Sequence, residues 1–429
     1  MSVKSVSFVT LGCKVNQYDT NAVMGMLPPE EFVLVPFTER ADCYVINTCT
    51  VTHKADAEAR NYINRVRKAN PDGVVIVTGC YAQVSPDELE DVEGVDYIVG
   101  NADKLLLTEV ITQGAKQQKP KVIVSDVFRA REFESPEIKG FSERTRAFLK
   151  VQDGCNYRCT FCIIPFARGR SRSLPTLEVI RRMELLRDAG YKEVVLTGIH
   201  LSSYGRDIGC SLLSLLEEIE KSRIVPRVRL SSLDPADMSE ELIDFVALSK
   251  TICPSFHMAL QSGDADVLRR MRRRYKPELF LRYTDLIREK IPQAAIGTDV
   301  MVGFPGEGDE EFSNSYILLE KSALTYFHVF PYSMRKNTPA YTMPGKVETG
   351  VAKRRSAVMR GLGREKKVSF YRGFIGEVLT VLVERGSKGT TPNYISVRVV
   401  GGDPKPGDQI QARIVDVRGE EALGVPLSH

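Results

Sequence analysis

The first hundred residues repeat one pattern that restricts the possible folds: an apolar run leads into a cysteine, and a helical stretch follows. The runs cover residues 5–11, 44–47 and 74–78, and the cysteines, here called the N-terminal triad, are Cys13, Cys49 and Cys80. Their spacings of 36 and 31 residues match the βα unit of about 30 residues. Such units fold as a parallel sheet whose strand carboxyl ends share one edge. We therefore predict that the three thiols converge there; small residues in ordinary βα turns are the alternative.

A second set of three cysteines lies in one short loop. Cys155, Cys159 and Cys162, here called the loop triad, follow an apolar, strand-like stretch with the spacing CxxxCxxC. A structural zinc site takes four protein ligands, whereas a four-iron cluster held by three thiolates keeps one iron open to a small molecule. Short cysteine-rich tracts usually bind metal, so the loop predicts an open metal centre. Incidental buried cysteines, or a zinc loop with a distant fourth ligand, are the alternatives.

From about Arg146 onward, apolar runs alternate with amphipathic segments. The predicted strands are 194–196, 228–230, 256–260, 296–302 and 327–330. Repeated βα units of this kind predict a parallel barrel, complete or partial, with the loop triad at its mouth, where active sites form. Short β runs with Gly and Pro turns then follow the basic stretch 353–367, at 378–383, 394–399 and 409–417. They predict a small all-β domain.

Together these patterns predict an α/β chain of three domains. We expect an N-terminal parallel α/β domain at residues 1–125, a central partial (βα) barrel at 140–362 and a small C-terminal all-β barrel at 363–429. Polar, charged stretches near 113–121 and 129–144 frame the linker between the first two domains.

The net charge of +4 is unevenly distributed along the chain. Residues 351–429 carry 14 Lys and Arg against 8 Asp and Glu. This basic tail predicts a polyanionic partner, most simply nucleic acid, with a merely solvated basic surface as the alternative. No stretch approaches the ~20 apolar residues of a membrane span, so no membrane partner is expected. Nine cysteines in 429 residues do not make a disulfide scaffold, and the reducing cytoplasm is the predicted location.

Six motifs resemble, in order, those of the radical S-adenosylmethionine (radical SAM) methylthiotransferases, over essentially the whole chain. They are TLGCKVNQ at 10–17, INTCTVT at 46–52, VTGCYAQ at 77–83, DGCNYRCTFCIIPFARG at 153–169, MALQSG at 258–263 and GFPGE at 303–307. The resemblance implies that the N-terminal triad holds an auxiliary 4Fe–4S cluster. It also implies that the loop triad holds a second 4Fe–4S cluster, whose open iron binds SAM. The C-terminal β domain resembles a TRAM domain, which implies tRNA as a partner.

The chemistry of this family suits an unreactive bond. The family uses one SAM as radical source and another as methyl donor, with electrons from an external donor of the flavodoxin or ferredoxin type. An aryl C–H such as C2 of adenine is neither acidic nor bonded to a leaving group, so acid–base and nucleophilic routes have little to act on. By the same resemblance all six cysteines are catalytic. The residues implied to bind SAM are Phe161, Thr197, Gly198, Ser232, Gln261 and Gly303.

The segments 14–17 and 46–52 favour one substrate. They resemble the branch that adds a methylthio group at C2 of N6-threonylcarbamoyladenosine, beside the anticodon of tRNA. The alternatives are isopentenyladenosine of tRNA and an aspartate of a ribosomal protein. A non-catalytic iron–sulfur RNA-binding protein is the alternative from a different class. No motif identifies the reductant, the sulfur source, the oligomeric state or the residues that read the threonylcarbamoyl group.

Arginines near the predicted barrel mouth are candidate contacts for RNA phosphates. They are Arg168, Arg170 and Arg172, with a second group at 269–274. A helix C-terminus that favours cations is the alternative for the second group. His200 and His257 are interpreted as packing residues.

Overall fold

The computed structural model describes residues 3–138, 140 and 144–427. The chain divides into two compact units. The first contains the N-terminal region up to Gly140 together with Lys150–Leu174 and Ser333–Tyr341, and the second contains the other described residues. Both cysteine triads therefore lie within the first unit.

The first unit is built on a six-stranded parallel sheet with strand order β2-β1-β3-β4-β5-β6. The strands are β1 (Lys4–Thr10), β2 (Phe32–Leu34), β3 (Cys43–Thr48), β4 (Val74–Gly79), β5 (Tyr97–Val99) and β6 (Lys121–Ile123). The helices are α1 (Lys14–Met26), α2 (His53–Ala69), α3 (Cys80–Val84), α4 (Pro86–Glu90) and α5 (Leu107–Gln113). β3 and β4 are buried along their whole length. Strands that are covered on both faces have continuous apolar runs, which accounts for the runs 43–46 and 74–77 within them.

Strand β6 is a difference from the sequence expectation. It begins inside the polar stretch that was expected to border the linker, and it pairs in parallel with β5. Two of its three residues are exposed, and its apolar run covers only residues 122–124, which is too short to predict a strand. The first unit is completed by β8 (Gln152–Asp153), α6 (Ile164–Arg168) and β9 (Arg172–Ser173), with β8 and β9 antiparallel.

The second unit contains the predicted partial barrel, which the structure confirms. One sheet has the order β11-β10-β7 and the other β12-β13-β14, and parallel bridges from Val228 to Ile252 and from Leu233 to Met258 connect them. The strands are β7 (Ala147–Lys150, with Lys150 itself in the first unit), β10 (Glu193–Thr197), β11 (Arg227–Leu230), β12 (Ser255–Gln261), β13 (Ala295–Val302) and β14 (Tyr326–Pro331). The helices are α7 (Thr176–Asp188), α8 (Leu212–Ser222), α9 (Glu240–Leu248), α10 (Ala265–Arg270), α11 (Pro277–Lys290) and α12 (Asp309–Lys321).

The C-terminal region is a closed five-stranded barrel with the order β15-β16-β17-β19-β18, so the all-β prediction is confirmed. Its strands are β15 (Val378–Val383), β16 (Lys388–Thr390), β17 (Ser396–Val399), β18 (Gln409–Arg418) and β19 (Glu421–Pro426). The basic stretch that precedes it lies within one long helix, α13 (Thr349–Arg372). The expected strand at 394–399 begins two residues late, because Tyr394 has φ of 61° and cannot continue a strand.

The domain limits 1–125, 140–362 and 363–429 stay a prediction. Among the residues that the structure describes, none of the helices combines the length and the hydropathy needed to cross a bilayer.

Candidate functional site

The N-terminal triad lies at the carboxyl edge of the first sheet. Cys13 caps α1 after β1, Cys49 follows β3, and Cys80 begins α3 directly after β4. A Cβ atom built on Gly12, whose φ is +96°, would lie 2.6 Å from Cβ and 3.0 Å from Sγ of Cys49. Only glycine therefore lets the chain of Cys13 approach Cys49 this closely. The structure thus brings together three cysteines that are far apart in sequence.

The thiols of this triad influence one another. Burial raises the pKa of Cys49 to about 12, and the nearby thiols of Cys80 and Cys13 act in the same direction. A raised pKa favours the protonated thiol. Bound metal reverses this preference, because a coordinating thiol loses its proton. As whole residues, Cys80 is buried, Cys49 is partly buried and Cys13 is exposed.

The donor set of this triad fits a four-iron cluster. Cysteine thiolates are the usual ligands of such clusters, and each thiolate binds a different iron. Asn101 adds a donor at this site: its Nδ2 lies 3.6 Å from Sγ of Cys80 and donates to the carbonyl of Ala167 at 2.7 Å.

The loop triad lies between β8 and α6. The backbone N–H of Cys155 donates to the carbonyl of Gly169 (3.1 Å), and that of Cys162 donates to the carbonyl of Cys159 (3.1 Å). Gly154 has φ of +72°, and a Cβ there would overlap the Arg170 carbonyl. The loop is therefore folded tightly against the segment that follows α6. Cys159 is buried, while Cys155 and Cys162 are partly exposed.

A buried ionic network lies beside both triads within the first unit. Lys150 Nζ is 2.6 Å from Asp19 and 3.2 Å from Asp153, and Lys104 Nζ is 2.6 Å from Asp19. Arg168 donates to both carboxylate oxygens of Asp153 at 3.1 Å and to Asp19 at 3.1 Å. We call these five residues the ionic network.

Arg168 is the centre of the ionic network, and its predicted role as an RNA contact is wrong. Only 2% of Arg168 is exposed, and its Nη2 also donates to Oδ1 of Asn16 at 2.5 Å. Burial opposes its charge, but Asp153, Cys80, Asp19 and Cys13 together raise the pKa of the guanidinium. The guanidinium therefore lies close to the N-terminal triad, although it belongs to the helix that follows the loop triad.

The carboxylates of the ionic network are held ionised. Burial alone would favour the neutral acid, but Arg168 and Lys150 lower the pKa of Asp153 to about 2. The lysines and Arg168 likewise hold the pKa of Asp19 well below its usual value. Sequence reasoning missed Asp19, Lys104 and Lys150. The one available signal was Lys150, a charged residue that ends an otherwise apolar strand.

The residues expected to bind SAM fall into two groups. Phe161 lies in the loop of the first unit, between Cys159 and Cys162, and is partly buried. The others belong to the second unit, where they lie at or just beyond the carboxyl ends of β10, β11, β12 and β13: Thr197, Gly198, Ser232, Gln261 and Gly303. Ligands of barrel enzymes bind at this end of the strands.

Two of these positions have unusual backbone conformations. Gln261 has φ of +69° at the end of β12, and Gly303 has φ of +76° after β13. A non-glycine residue in the left-handed region is strained, and such strain is concentrated at functional sites. The Gly303 N–H is held by Glu307 Oε1 at 2.8 Å, and Glu307 is in turn paired with Arg355 at 2.8 Å.

The second group of candidate RNA contacts is partly used inside the barrel unit. Arg273 is paired with Asp234 at 2.5 Å, and Arg270 donates to the carbonyl of Gly306 at 2.6 Å. These two arginines therefore stabilise the barrel unit itself, and the role of this group as phosphate contacts stays a prediction.

Family models and known proteins match most of the chain. A family model described as the Radical SAM superfamily matches residues 149–319, and one described as an uncharacterized protein family, UPF0004, matches residues 5–100. The threonylcarbamoyladenosine tRNA methylthiotransferase MtaB of Aquifex aeolicus is 39% identical over 92% of this chain and 97% of its own length. The MtaB of Bacillus subtilis is 40% identical over 96% and 94%. The tRNA-2-methylthio-N(6)-dimethylallyladenosine synthase of Thermodesulfovibrio yellowstonii is 31% identical over the full length of both chains.

Among solved structures, the radical SAM methyltransferase TsrM of Kitasatospora setae superimposes with a TM-score of 0.58 at 18% identity. It covers 79% of this chain and 77% of its own. At this identity the likeness concerns the fold alone.

Fold and site thus define a radical SAM enzyme with an additional N-terminal cysteine triad. Radical SAM enzymes use a 4Fe–4S cluster and SAM, and the chain contains the matching domain. The chain belongs to the radical SAM methylthiotransferase family and is of the MtaB type.

Proposed function

We propose that this enzyme converts N6-threonylcarbamoyladenosine beside the anticodon of tRNA into 2-methylthio-N6-threonylcarbamoyladenosine. The relatives named for this activity are 35–40% identical across most of the chain. Those named as dimethylallyladenosine synthases are 31–33% identical. The observation that carries the proposal is the meeting of Cys13, Cys49 and Cys80 at one sheet edge, in the same unit as the loop triad.

We propose that the chain holds two 4Fe–4S clusters, one on each triad. Three thiolates at each site leave one iron without a protein ligand, which a purely structural centre does not need. When bound, the clusters and SAM supply the radical chemistry that an unreactive C–H bond requires. Phe161, Thr197, Gly198, Ser232, Gln261 and Gly303 would position SAM.

The residues around the triads have supporting roles in this proposal. The ionic network fixes the loop triad, because Asp153 lies two residues before Cys155 and is bound by both Arg168 and Lys150. Asn101 offers an N–H to Cys80, and hydrogen bonds to ligand sulfurs tune a cluster. Outer residues of this kind orient the ligands of a metal centre.

The proposal includes partners beyond the chain. tRNA is the substrate, and an external electron donor of the flavodoxin or ferredoxin type supplies the electrons. The cytoplasm is the proposed location, because the modification needs tRNA and a reducing environment.

The substrate is tested by nucleoside analysis of tRNA from a deletion strain. We expect 2-methylthio-N6-threonylcarbamoyladenosine to disappear and its unthiolated precursor to accumulate, with the wild-type gene restoring the product. The Cys49→Ala gene serves as the matched control and should not restore it. An unchanged product level, with loss of the isopentenyl derivative instead, would assign the enzyme to the other tRNA substrate.

The two-cluster proposal has its own test. Anaerobic reconstitution should give about eight irons per wild-type chain and about four in a variant that lacks the N-terminal triad. That variant should still cleave SAM without thiolating tRNA. A wild-type value near four irons would exclude the second cluster.

A further inference from the structure

Strands β12, β13 and β14 expose one face on the inside of the partial barrel. On β14 the exposure alternates: Phe327 and Val329 are buried, whereas His328 and Phe330 are exposed. The Phe327 side packs beneath α13, since a Cβ on Gly363 of that helix would lie 3.3 Å from the Phe327 ring. Tyr326, His328 and Phe330 therefore share the opposite, inner face.

Strand register places polar side chains side by side on this inner face. Gly297 of β13 pairs with His257 of β12 and with Tyr326 of β14, and Asp299 pairs with His328. His257 Nε2 lies 3.1 Å from Oδ2 of Asp299, and the rings of His257 and His328 are stacked with centroids 5.7 Å apart. His257, Asp299 and His328 form what we call the His–Asp cluster.

Tyr326 lies next to this cluster because Gly297 has no side chain. A Cβ on Gly297 would overlap the Tyr326 ring, so glycine lets that ring lie across β13. The Tyr326 hydroxyl then reaches Nδ1 of His257 at 3.3 Å. The prediction that His257 is only a packing residue does not account for this arrangement, because both ring nitrogens have polar partners.

The amino end of the barrel is closed below the His–Asp cluster. Tyr394 from the C-terminal barrel lies 5.7 Å from Tyr326 between ring centroids, and the Arg229 guanidinium lies 5.0 Å from the Tyr394 ring. Arg229 is itself paired with the buried Glu193 at 2.8 Å. Tyr394 therefore covers the amino side of the cluster, whereas His328, further along β14, is exposed. Barrel enzymes bind their substrates towards the carboxyl ends of the strands.

The chemistry of the cluster discriminates between the two tRNA substrates of the family. A dimethylallyl group is a hydrocarbon. If it covered an aspartate–histidine pair, it would displace water from these side chains and could not replace the hydrogen bonds that the water makes. A threonylcarbamoyl group carries a carboxylate, a hydroxyl and urea N–H groups. Asp299 can accept from an N–H or the hydroxyl, and a histidine can donate to the carboxylate. Sites that hydrogen-bond a substrate group strongly reject analogues that lack it.

We propose that His257, Asp299 and His328 read the threonylcarbamoyl group of the substrate adenosine. The assignment rests on the proposed function. His328 and Asp299 contact the polar substituent, and His257 positions Asp299 through the contact of its Nε2 with Oδ2. Met301 and Phe330, which pair in the next row of the same face, present apolar surface above them.

The test uses His328→Phe and the nearly isosteric Asp299→Asn, each reconstituted with iron and SAM. His53→Phe, at an exposed histidine of α2, is the matched control. The readouts are kcat and KM on tRNA bearing N6-threonylcarbamoyladenosine, competition with isopentenyladenosine tRNA, and SAM cleavage without tRNA.

We expect each cluster variant to lose about tenfold or more in kcat/KM on threonylcarbamoyladenosine tRNA, as for a lost hydrogen bond to a charged group. The preference for threonylcarbamoyladenosine tRNA over isopentenyladenosine tRNA should fall. SAM cleavage in the absence of tRNA and the iron content should stay at the wild-type level. The control should match wild type throughout.

Two outcomes would overturn the assignment, and they are distinguishable. If wild type is active and the variants keep its kcat/KM and its preference for threonylcarbamoyladenosine tRNA, the cluster does not read the substituent. The same conclusion follows if the variants lose SAM cleavage to the same degree as methylthiolation. If wild type itself fails on threonylcarbamoyladenosine tRNA, the proposed function is wrong and the assignment falls with it.

Discussion

Replacing Arg168 with alanine tests whether the ionic network stabilises the first unit. Arg168 donates four hydrogen bonds: two to Asp153, one to Asp19 and one to Asn16. The side chain is 2% exposed, so water cannot replace it without rearrangement. Its removal leaves two carboxylates and one amide oxygen with fewer partners.

The magnitude follows from the partners that remain. Breaking a buried ion pair by removing one member costs about 3–5 kcal/mol. Here Asp153 keeps Lys150 at 3.2 Å, and Asp19 keeps Lys150 and Lys104 at 2.6 Å each. We therefore expect the lower end of that range, about 3 kcal/mol. Arg168→Lys should fall between wild type and alanine, because it keeps the charge but not the forked geometry.

The assay is urea unfolding of metal-free protein under reducing conditions. Because the chain has no tryptophan, circular dichroism and tyrosine fluorescence report the transition. Arg170→Ala is the matched control: that side chain is exposed and should change stability by less than about 0.5 kcal/mol. A value for Arg168→Ala as small as that of the control would refute the reasoning.

Three further predictions follow. Gly79→Ala should destabilise the first unit by about 1–3 kcal/mol and lower the iron content. The reason is that Gly79 has φ of +97° and the new Cβ would overlap the Thr48 carbonyl. An unchanged urea midpoint and an unchanged iron content would contradict this prediction. Burial acts to raise the pKa of the Glu193 carboxyl, but Arg229, Arg146 and Arg227 outweigh it and lower that pKa. The ionised carboxylate therefore stabilises the folded state at a pH above about 4.3, the pKa of glutamate in the unfolded chain. This stabilisation is lost as the pH falls through the lower pKa of the folded state. Glu193→Gln should therefore be less stable at pH 7 and lose less stability towards pH 4, as urea midpoints at both pH values would show. Asn101→Leu should change the electron paramagnetic resonance spectrum of the proposed N-terminal cluster in its reduced state, without lowering the iron content. An unaltered spectrum would mean that the N–H near Cys80 does not influence that proposed cluster.

Local pattern was a good guide wherever the fold repeats a simple unit. The βα spacing around Cys13, Cys49 and Cys80 predicted a parallel sheet, and parallel strands necessarily bring their carboxyl ends to one edge. The partial barrel was predicted for the same reason, and the C-terminal all-β domain was predicted from short β runs with Gly and Pro turns. The pattern missed β2, β5, β6 and β16, because each of these strands is only three residues long. It also missed β19, whose sequence contains glycine and has no clear apolar alternation.

The charged residues of the site show where pattern reasoning ends. Arg168, Arg170 and Arg172 alternate in sequence and were candidate contacts for RNA phosphates. Instead, Arg168 ends a short helix and lies buried among carboxylates, whereas Arg170 is exposed. No local rule separates these two arginines.

By itself, the sequence determined the types and order of the elements, the two cysteine triads and the family. These properties depend on residue periodicity, on turn residues and on motifs contained within a few neighbouring positions. The tertiary structure alone decided which charges lie inside. Asn16 and Arg168 are 152 residues apart, and Asp19 and Lys150 are 131 apart. A buried charge is tolerated only where an opposite charge meets it, and that meeting depends on packing between distant segments. The same holds for His257, Asp299 and His328, which strand register alone places in one cluster.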